Sequence, residues 1–311
     1  MRGLLLLTLA ACAGAAKPPA PTGPEPPAPT GSTDPKSLQG ELKLTVLESY
    51  RAIGSDYTEA YQETLGKGTR TLFIGARRND VVVGFDVERA IGMHRYYPED
   101  RLEIVSQDLQ ARLSSDSNVG WTSDHLSYRV GRGRRQGSVP LRSTAVYLHK
   151  DARWGKLFEH VSYPRSRDDL IADARADRIG TPALIPASVI GAEAEAALSM
   201  VHRFLGDGPA PPAPPDFLLI PPWDAEEHAS RTVGALFGKG VTVKSQGFFV
   251  EVAAGQNVAW VAANLVVQGA DFSLPVRATW VLERREGEFR PVQMHVSAPL
   301  PDNFEQVMFG G

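Results

Sequence analysis

Hydrophobic residues recur along this chain with two periods, one typical of helices and one typical of strands. Segments with these periods occur in the same order in each half. Near the start of each half, apolar residues recur every three or four positions, which predicts an amphipathic helix. These stripes are Leu42, Val46, Tyr50, Ile53, Tyr57 and Tyr61 in the first half, and Val189, Ala192, Ala196, Met200 and Phe204 in the second. Shorter helices are predicted around 83–93 and 224–236. Strands are predicted at 102–113, 118–130, 140–149 and 156–162, then at 241–252, 257–268, 274–285 and 288–297. Helices followed by an antiparallel meander predict an α+β domain in each half.

The two halves also share a sequence motif. His-Val-Ser-x-Pro begins at His160 and again at His295, 135 residues later. In the same register, Arg142 matches Arg277 and Thr144 matches Thr279. Upstream, the segment SNVGW (117–121) matches QNVAW (256–260) at an offset of 139, so a four-residue gap falls in the glycine- and arginine-rich loop of the first half. Insertions are tolerated best at hairpin tips, so a gap at this loop is compatible with two copies of one unit. We interpret the shared motifs as a tandem duplication.

The amino-terminal residues have the pattern of a lipoprotein signal peptide. Arg2 precedes an uncharged run over 4–11 that is too short to span a bilayer. Leu9-Ala10-Ala11-Cys12 resembles the bacterial lipobox, and Cys12 is the only cysteine of the chain. The resemblance implies a signal peptide over 1–12, with a diacylglycerol on Cys12 and a further acyl chain on its new amino group. The alternative is an ordinary secretory signal with an incidental cysteine.

Composition defines the remaining boundaries. Residues 13–39 are rich in Pro, Ala and Gly and contain little apolar surface to bury, which predicts a disordered tether. Ala13 after the cysteine favours an outer-membrane location that faces the periplasm. The first domain is expected over 40–165, a charged and proline-containing linker over 166–187, and the second domain over 188–306.

Charge and residue spacing exclude several classes of function. The formal net charge of −3 argues against a nucleic-acid partner. The seven histidines show no metal-ligand spacing and the body has no cysteine, so neither a metal nor another cofactor is expected. GRGRRQG (131–137) lacks the lysine and the strand-to-helix context of a nucleotide loop, which favours a solvated hairpin tip.

The order of motifs resembles the SnoaL-like branch of the NTF2-like superfamily. The resemblance rests on LFIG…VVVG, a second helix, NVGW, and RSTAVYLHKDARWGKLFEHVSYP ending in H-x-S-x-P. It covers 40–165 well and 186–300 less well, since 206–224 is proline-rich where the family has a compact helical stretch. The resemblance implies two cones, each a strongly curved antiparallel sheet wrapped around helices, which pair through their sheets as an intramolecular pseudo-dimer.

Polar residues of the first half are candidates for a site within its cone. Asp86, His125, Tyr128 and His160 are the candidate acid–base residues, with Glu88 and His94 nearby in sequence. Strand alternation argues against His295, the counterpart of His160, because it shares a strand face with polar Gln293 and Ser297 rather than with the aliphatic row. The histidines are therefore also candidates for packing between the repeats.

Trp121, Arg142 and Thr144 are candidate ligand-binding residues. Arginine binds carboxylates with two parallel hydrogen bonds, and tryptophan stacks on flat ligands. The alternatives are that Trp121 belongs to the core and that Arg142 and Arg277 form ion pairs with Glu159 and Glu283.

These observations lead to one expectation and two alternatives. We expect a periplasm-facing lipoprotein, bound to the membrane through Cys12, whose domains act as a non-catalytic module for a small apolar ligand or a protein partner. The alternatives are an acid–base enzyme of the isomerase or polyketide-cyclase type, and a purely structural envelope component.

Overall fold

The computed structural model describes residues 34–55, 57–66, 70–95, 101–132, 134–206, 214–223 and 232–300. The predicted signal peptide, Cys12 and the tether up to residue 33 lie outside this part of the chain. The carboxyl-terminal boundary of the predicted tether was wrong, because residues 35–39 begin the first helix, where Leu38 is buried.

The first half begins with the predicted amphipathic stripe, which folds as two helices rather than one. Its helices are α1 (Pro35–Ser55), α2 (Thr58–Glu63) and α3 (Val87–His94). Its strands are β1 (Leu72–Ile74), β2 (Val81–Val83), β3 (Arg101–Ser106), β4 (Gln110–Leu113), β5 (Val119–Arg132), β6 (Arg135–Lys150) and β7 (Arg153–Ser162). They form one sheet in the order β2-β1-β7-β6-β5-β3, with β4 also paired to β5. All pairs are antiparallel except β1 with β7.

The second half repeats this plan with fewer elements. After α4 (Arg167–Arg175) come α5 (Ala192–Leu205), β8 (Leu218–Ile220), α6 (Val233–Phe237), β9 (Thr242–Val252), β10 (Val258–Gln268), β11 (Ser273–Arg285) and β12 (Glu288–Ser297). The sheet order is β8-β12-β11-β10-β9, and β8 runs parallel to β12 as β1 runs parallel to β7. Helix α4 lies within the predicted linker and was not predicted, because its only buried residue is Leu170.

The two sheets agree residue by residue in their pairing. Ile74 pairs with His160, and Ile220 pairs with His295. A register irregularity falls after Val146 in the first sheet and after Val281, 135 residues later, in the second. Such irregularities bend a strand and reset which face its side chains occupy. The duplicated sequence therefore folds as a duplicated structure.

Three apolar clusters hold the structure together. In each half, the helices pack on one face of the sheet, and the helices and the sheet together form a separate apolar core. The other faces of the two sheets pack on each other through a third cluster, called here the inter-sheet cluster. It contains Leu72, Ile74, Val119, Trp121, Val146 and Phe158 from the first half, Phe249, Val258, Trp260, Ala262, Val281 and Val292 from the second, and Ile185 between them.

Candidate functional site

The two motif histidines lie at the centre of the contact between the sheets. His160 Nδ1 is 3.0 Å from Thr279 Oγ1, and His160 Nε2 is 2.8 Å from Ser297 Oγ. Both partners belong to the other half of the chain. The ring stacks on that of His295, with centroids 3.9 Å apart and planes inclined by 22°. His160 therefore connects the halves rather than facing a cone interior.

His295 makes the reciprocal contacts. Its Nδ1 is 3.1 Å from Thr144 Oγ1, and its Nε2 is 2.7 Å from Ser162 Oγ. Burial holds the pKa of both histidines well below the usual value, with contributions from the charges of Arg277 and Arg142 at His160 and from His160 and Arg142 at His295, so both rings are neutral. A neutral imidazole has one donor and one acceptor nitrogen, and here each ring nitrogen has a hydroxyl partner.

The two matched arginines bind main-chain carbonyl groups of the opposite half and, in the case of Arg277, also of the linker. Arg277 Nη1 donates to Gly75 O at 3.1 Å and to Arg77 O at 3.0 Å, and its Nη2 donates to Ala183 O at 3.3 Å. Arg142 Nη1 donates to Trp223 O at 3.1 Å. Burial lowers the pKa of Arg277 to about 10, which leaves it charged at neutral pH.

The interior of the first cone contains a buried polar network. Glu159 Oε1 is 3.1 Å from Lys156 Nζ, and Glu159 Oε2 is 3.2 Å from His94 Nε2. The other ring nitrogen, His94 Nδ1, lies 2.5 Å from Tyr128 Oη, and Ser143 Oγ donates to Glu159 Oε1 at 3.3 Å. All five residues are buried. We call them the interior network.

Electrostatics keep the carboxylate of this network ionised. Burial alone would raise the pKa of Glu159, but the charge of Lys156, with smaller contributions from His94, holds it at about 2. Around the network, burial and the negative charge of Glu159 raise the pKa of Tyr61 and Tyr147 well above the usual value. The cone interior is thus arranged around one fixed negative charge with a cation beside it.

The second cone has apolar side chains at every equivalent position of the sheet. Glu159 corresponds to Met294 and Lys156 to Pro291. The remaining pairs are Ser143 with Ala278, Tyr128 with Val267, Tyr147 with Leu282 and Asp124 with Ala263. Met294, Val267, Leu282, Ala278 and Ala263 all belong to the apolar core of the second half. The halves therefore share a backbone but differ in the chemistry of their interiors.

A small pocket opens where β8 of the second half meets β4, β5 and β6 of the first. Its volume is about 190 Å³. Its walls include Gln110, Asp124, His125, Arg142, Leu219 and Trp223. Arg142 is buried at its base, whereas His125, which pairs with Arg142 across the two strands, is exposed. We call this the seam pocket.

Comparison with known proteins identifies the fold. Residues 226–301 match the family model described as a SnoaL-like domain. The chain contains a SnoaL-like domain. Because the first half has the same element order and the same strand register, it is a second copy of that fold. The expected class, α+β with two NTF2-like cones, is confirmed.

Solved structures with a similar fold each match a share of the chain close to one half. A putative dehydratase of the NTF2-like family from Streptomyces avermitilis is 12% identical, covers 43% of this chain and all of its own, and has a TM-score of 0.37. An NTF2-like protein of unknown function from Pseudomonas putida KT2440 is 15% identical over 42% of this chain and 89% of its own, with a TM-score of 0.34. No curated protein matches the chain significantly.

The predicted acid–base residues of the first half are dispersed in the structure. Only Tyr128 and His94 meet, as part of the interior network. Asp86 caps the amino terminus of α3 by accepting from Arg89 N at 3.0 Å. Glu88 and His125 are exposed, and His160 lies between the sheets. A carboxylate, Glu159, was missed as a member of the interior.

Two of the three predicted ligand-binding residues lie in the contact between the sheets. Trp121 is buried in the inter-sheet cluster, and Thr144 bonds His295, so neither reaches the seam pocket. Arg142 does line it. The proposed ion pairs with Glu159 and Glu283 were wrong, because Glu159 faces the cone interior and Glu283 pairs with Arg285 at 2.8 Å.

Proposed function

We propose that this protein is a non-catalytic binding module in which the second SnoaL-like half is a permanent partner for the first. The observation that carries the proposal is the closed ion pair in the first cone. Lys156 and Glu159 satisfy each other beneath fully buried tyrosines, and the second cone has only apolar side chains at the matching positions of its sheet.

The acid–base properties of the interior network support binding rather than catalysis. An efficient general base has a pKa near the working pH, whereas that of Glu159 is about 2. Proton transfer also requires that the group reach the substrate, but Glu159, Lys156 and His94 are all buried by protein. The network resembles a structural ion pair, which perturbs pKa values just as an active site does.

An acid–base enzyme remains the second candidate, since a carboxylate, an imidazole and a phenol lie within hydrogen-bond reach in the first cone. Solvent-deuterium exchange separates the two. Cyclic ketones with acidic α-protons are incubated in D₂O with the wild type and with Glu159→Gln, and exchange is followed by proton NMR. We expect the rate of buffer alone in both. Faster exchange with the wild type that is lost in Glu159→Gln would establish the enzyme.

We further propose that the module is held at the periplasmic face of the outer membrane by lipid on Cys12. Support comes from the lipobox sequence and the proline-rich tether behind it. A single acyl chain binds a bilayer only marginally, at about 0.8 kcal/mol per buried CH₂, whereas two or three chains anchor stably. Among the described residues, no helix is long and apolar enough to cross a membrane.

The anchor is tested by the variant Cys12→Ser. Membranes from cells that produce each form are separated by flotation and probed for the protein. The wild type should float with the membranes, and Cys12→Ser should appear in the soluble fraction. Retention of Cys12→Ser on membranes that survives high salt contradicts lipidation.

A further inference from the structure

The segment that joins the two halves occupies a defined site on the second half. Asn264 Nδ2 donates to Ile185 O at 3.4 Å, and Arg277 Nη2 donates to Ala183 O at 3.3 Å. The side chain of Ile185 is buried in the inter-sheet cluster. The second half therefore binds this extended segment through two of its carbonyl groups, while Ala183 N donates to Arg78 O of the first half at 2.8 Å and both halves bury the side chain of Ile185.

The same segment also extends the second sheet. Ser188 N donates to Phe248 O at 2.7 Å, and Val250 N donates to Ser188 O at 2.8 Å, so Ser188 forms a parallel bridge beside β9. Addition of a strand to a sheet edge is a common mode of peptide recognition, in which backbone bonds supply affinity and side-chain pockets supply specificity. We call residues 183–188 the linker strand.

The seam pocket is the counterpart of this site on the first half. Arg142 corresponds to Arg277, and His125 corresponds to Asn264. Gln110 on β4 pairs with Ser123 as Phe249 on β9 pairs with Ala262, so β4 stands where β9 stands. In the second half the linker strand fills the position, whereas in the first half no segment of the described part of the chain fills it and the seam pocket lies there.

We infer that the seam pocket docks an extended segment of a partner polypeptide. One aliphatic side chain of that segment enters the pocket, as Ile185 does in the other half. Its carbonyl groups accept hydrogen bonds from Arg142 and His125, and its backbone runs beside β4. This inference rests on the proposed binding function and names its ligand class.

The dimensions and lining of the pocket favour such a ligand. A volume of about 190 Å³ is below the roughly 300–1,000 Å³ of sites for drug-sized molecules, and is suited to one side chain. Leu218, Leu219 and Ile220 of β8 provide an apolar wall. Donors to peptide carbonyl groups also line the pocket, and Arg142 is held there by its bond to Trp223 O at 3.1 Å.

A peptide that contains the linker strand tests whether the protein binds such a segment. A blocked peptide with the sequence of residues 181–188, TPALIPAS, is titrated into the full-length wild type, and binding is measured by calorimetry. We expect binding that weakens by about tenfold or more when aspartate replaces the peptide isoleucine, since burying that side chain contributes about 1.5–3 kcal/mol. Equal affinity for both peptides, or no binding of the isoleucine peptide, overturns the inference.

Variants of the protein locate the peptide. Ser123→Phe fills the pocket and should weaken binding by about tenfold. His125→Glu, at an exposed position that tolerates substitution, places a carboxylate opposite the peptide carbonyl and should also weaken binding. Arg129→Ala on the same strand, exposed and paired with Glu103, is the matched control and should bind as the wild type does.

One outcome would place the peptide elsewhere. If Ser123→Phe and His125→Glu both bind with wild-type affinity, the peptide has displaced the linker strand in the second half, and the seam pocket is not its site. Ketone exchange and peptide binding are independent readouts. Catalysis with intact peptide binding would therefore refute only the non-catalytic part of the proposed function.

Discussion

Replacement of Lys156 by methionine tests how the interior network holds the first cone together. In the native protein, the pKa of Glu159 falls from 4.5 to about 2. A shift of that size corresponds to about 3 kcal/mol of stabilisation at neutral pH. Loss of one partner from a buried ion pair costs about 3–5 kcal/mol, because the other charge stays buried without compensation. We therefore expect Lys156→Met to lower the free energy of unfolding by about 3 kcal/mol.

Urea denaturation, followed by circular dichroism, measures this cost. Because the folded pKa of Glu159 lies below the unfolded value, its contribution is fully present above pH 4.5 and is lost as the pH falls towards 2. Wild type should show that loss, and Lys156→Met should show a smaller one. Arg153→Met, on the same strand but exposed, is the control and should change stability by less than about 0.5 kcal/mol.

A double variant gives the decisive comparison. Lys156→Met with Glu159→Met copies the apolar residue that the second cone has at Met294, and should recover most of the loss, because a buried ion pair can be replaced by apolar residues at little cost. The reasoning fails if the double variant is less stable than Lys156→Met alone, or if Lys156→Met costs less than about 1 kcal/mol.

Three further changes test other parts of the structure by the same urea assay. The pKa values of His160 and His295 are lowered by burial, so the wild type should lose stability as the pH falls below 6.5. Substitution of both histidines by asparagine should reduce the slope of the free energy of unfolding against pH. Equal slopes in the two proteins would show that the imidazoles do not titrate on unfolding. Arg277→Met removes the donor to the carbonyl groups of Gly75, Arg77, Arg78 and Ala183 and should cost at least about 3 kcal/mol, whereas a loss below about 1 kcal/mol would show that water replaces it. Ser166→Ala removes the cap of α4, seen as the bond from Asp169 N at 3.1 Å, and should cost about 1 kcal/mol; no change would mean that the cap is exchanged for solvent.

Long strands with regular alternation were predictable, and short ones were not. The predicted strand at 288–297 coincides with β12, and those at 257–268 and 274–285 lie within a residue of β10 and β11. By contrast, β1, β2 and β8 have three residues each, too few to show a period. Their pairing comes from tertiary contacts, which a periodic pattern does not contain.

The interior network was missed for a different physical reason. Lys156 and Glu159 are three residues apart, and on a regular strand they would point to opposite faces. In the structure, Tyr147 pairs with Lys156 while Val146 pairs with Phe158, so Leu157 is skipped and the alternation shifts by one. The shift brings the lysine and the glutamate to the same face. Sequence alternation alone places only one of them inside.

The pattern of change between the two halves follows from which residues contact their own counterparts. His160 stacks on His295, and each bonds the threonine and serine of the opposite copy, so a substitution in one half would leave buried groups of the other half unpaired. The cone interiors do not share that constraint, because each is formed mainly by the helices and sheet of its own half. One interior could therefore become apolar without affecting the contact between the sheets. The linker strand adds a second difference between the halves. It fills the site beside β9 in the second half, whereas the seam pocket lies at the corresponding place in the first half. The pairing of the sheets thus accounts for what the copies share, and the seam pocket is where their difference leaves room for another chain.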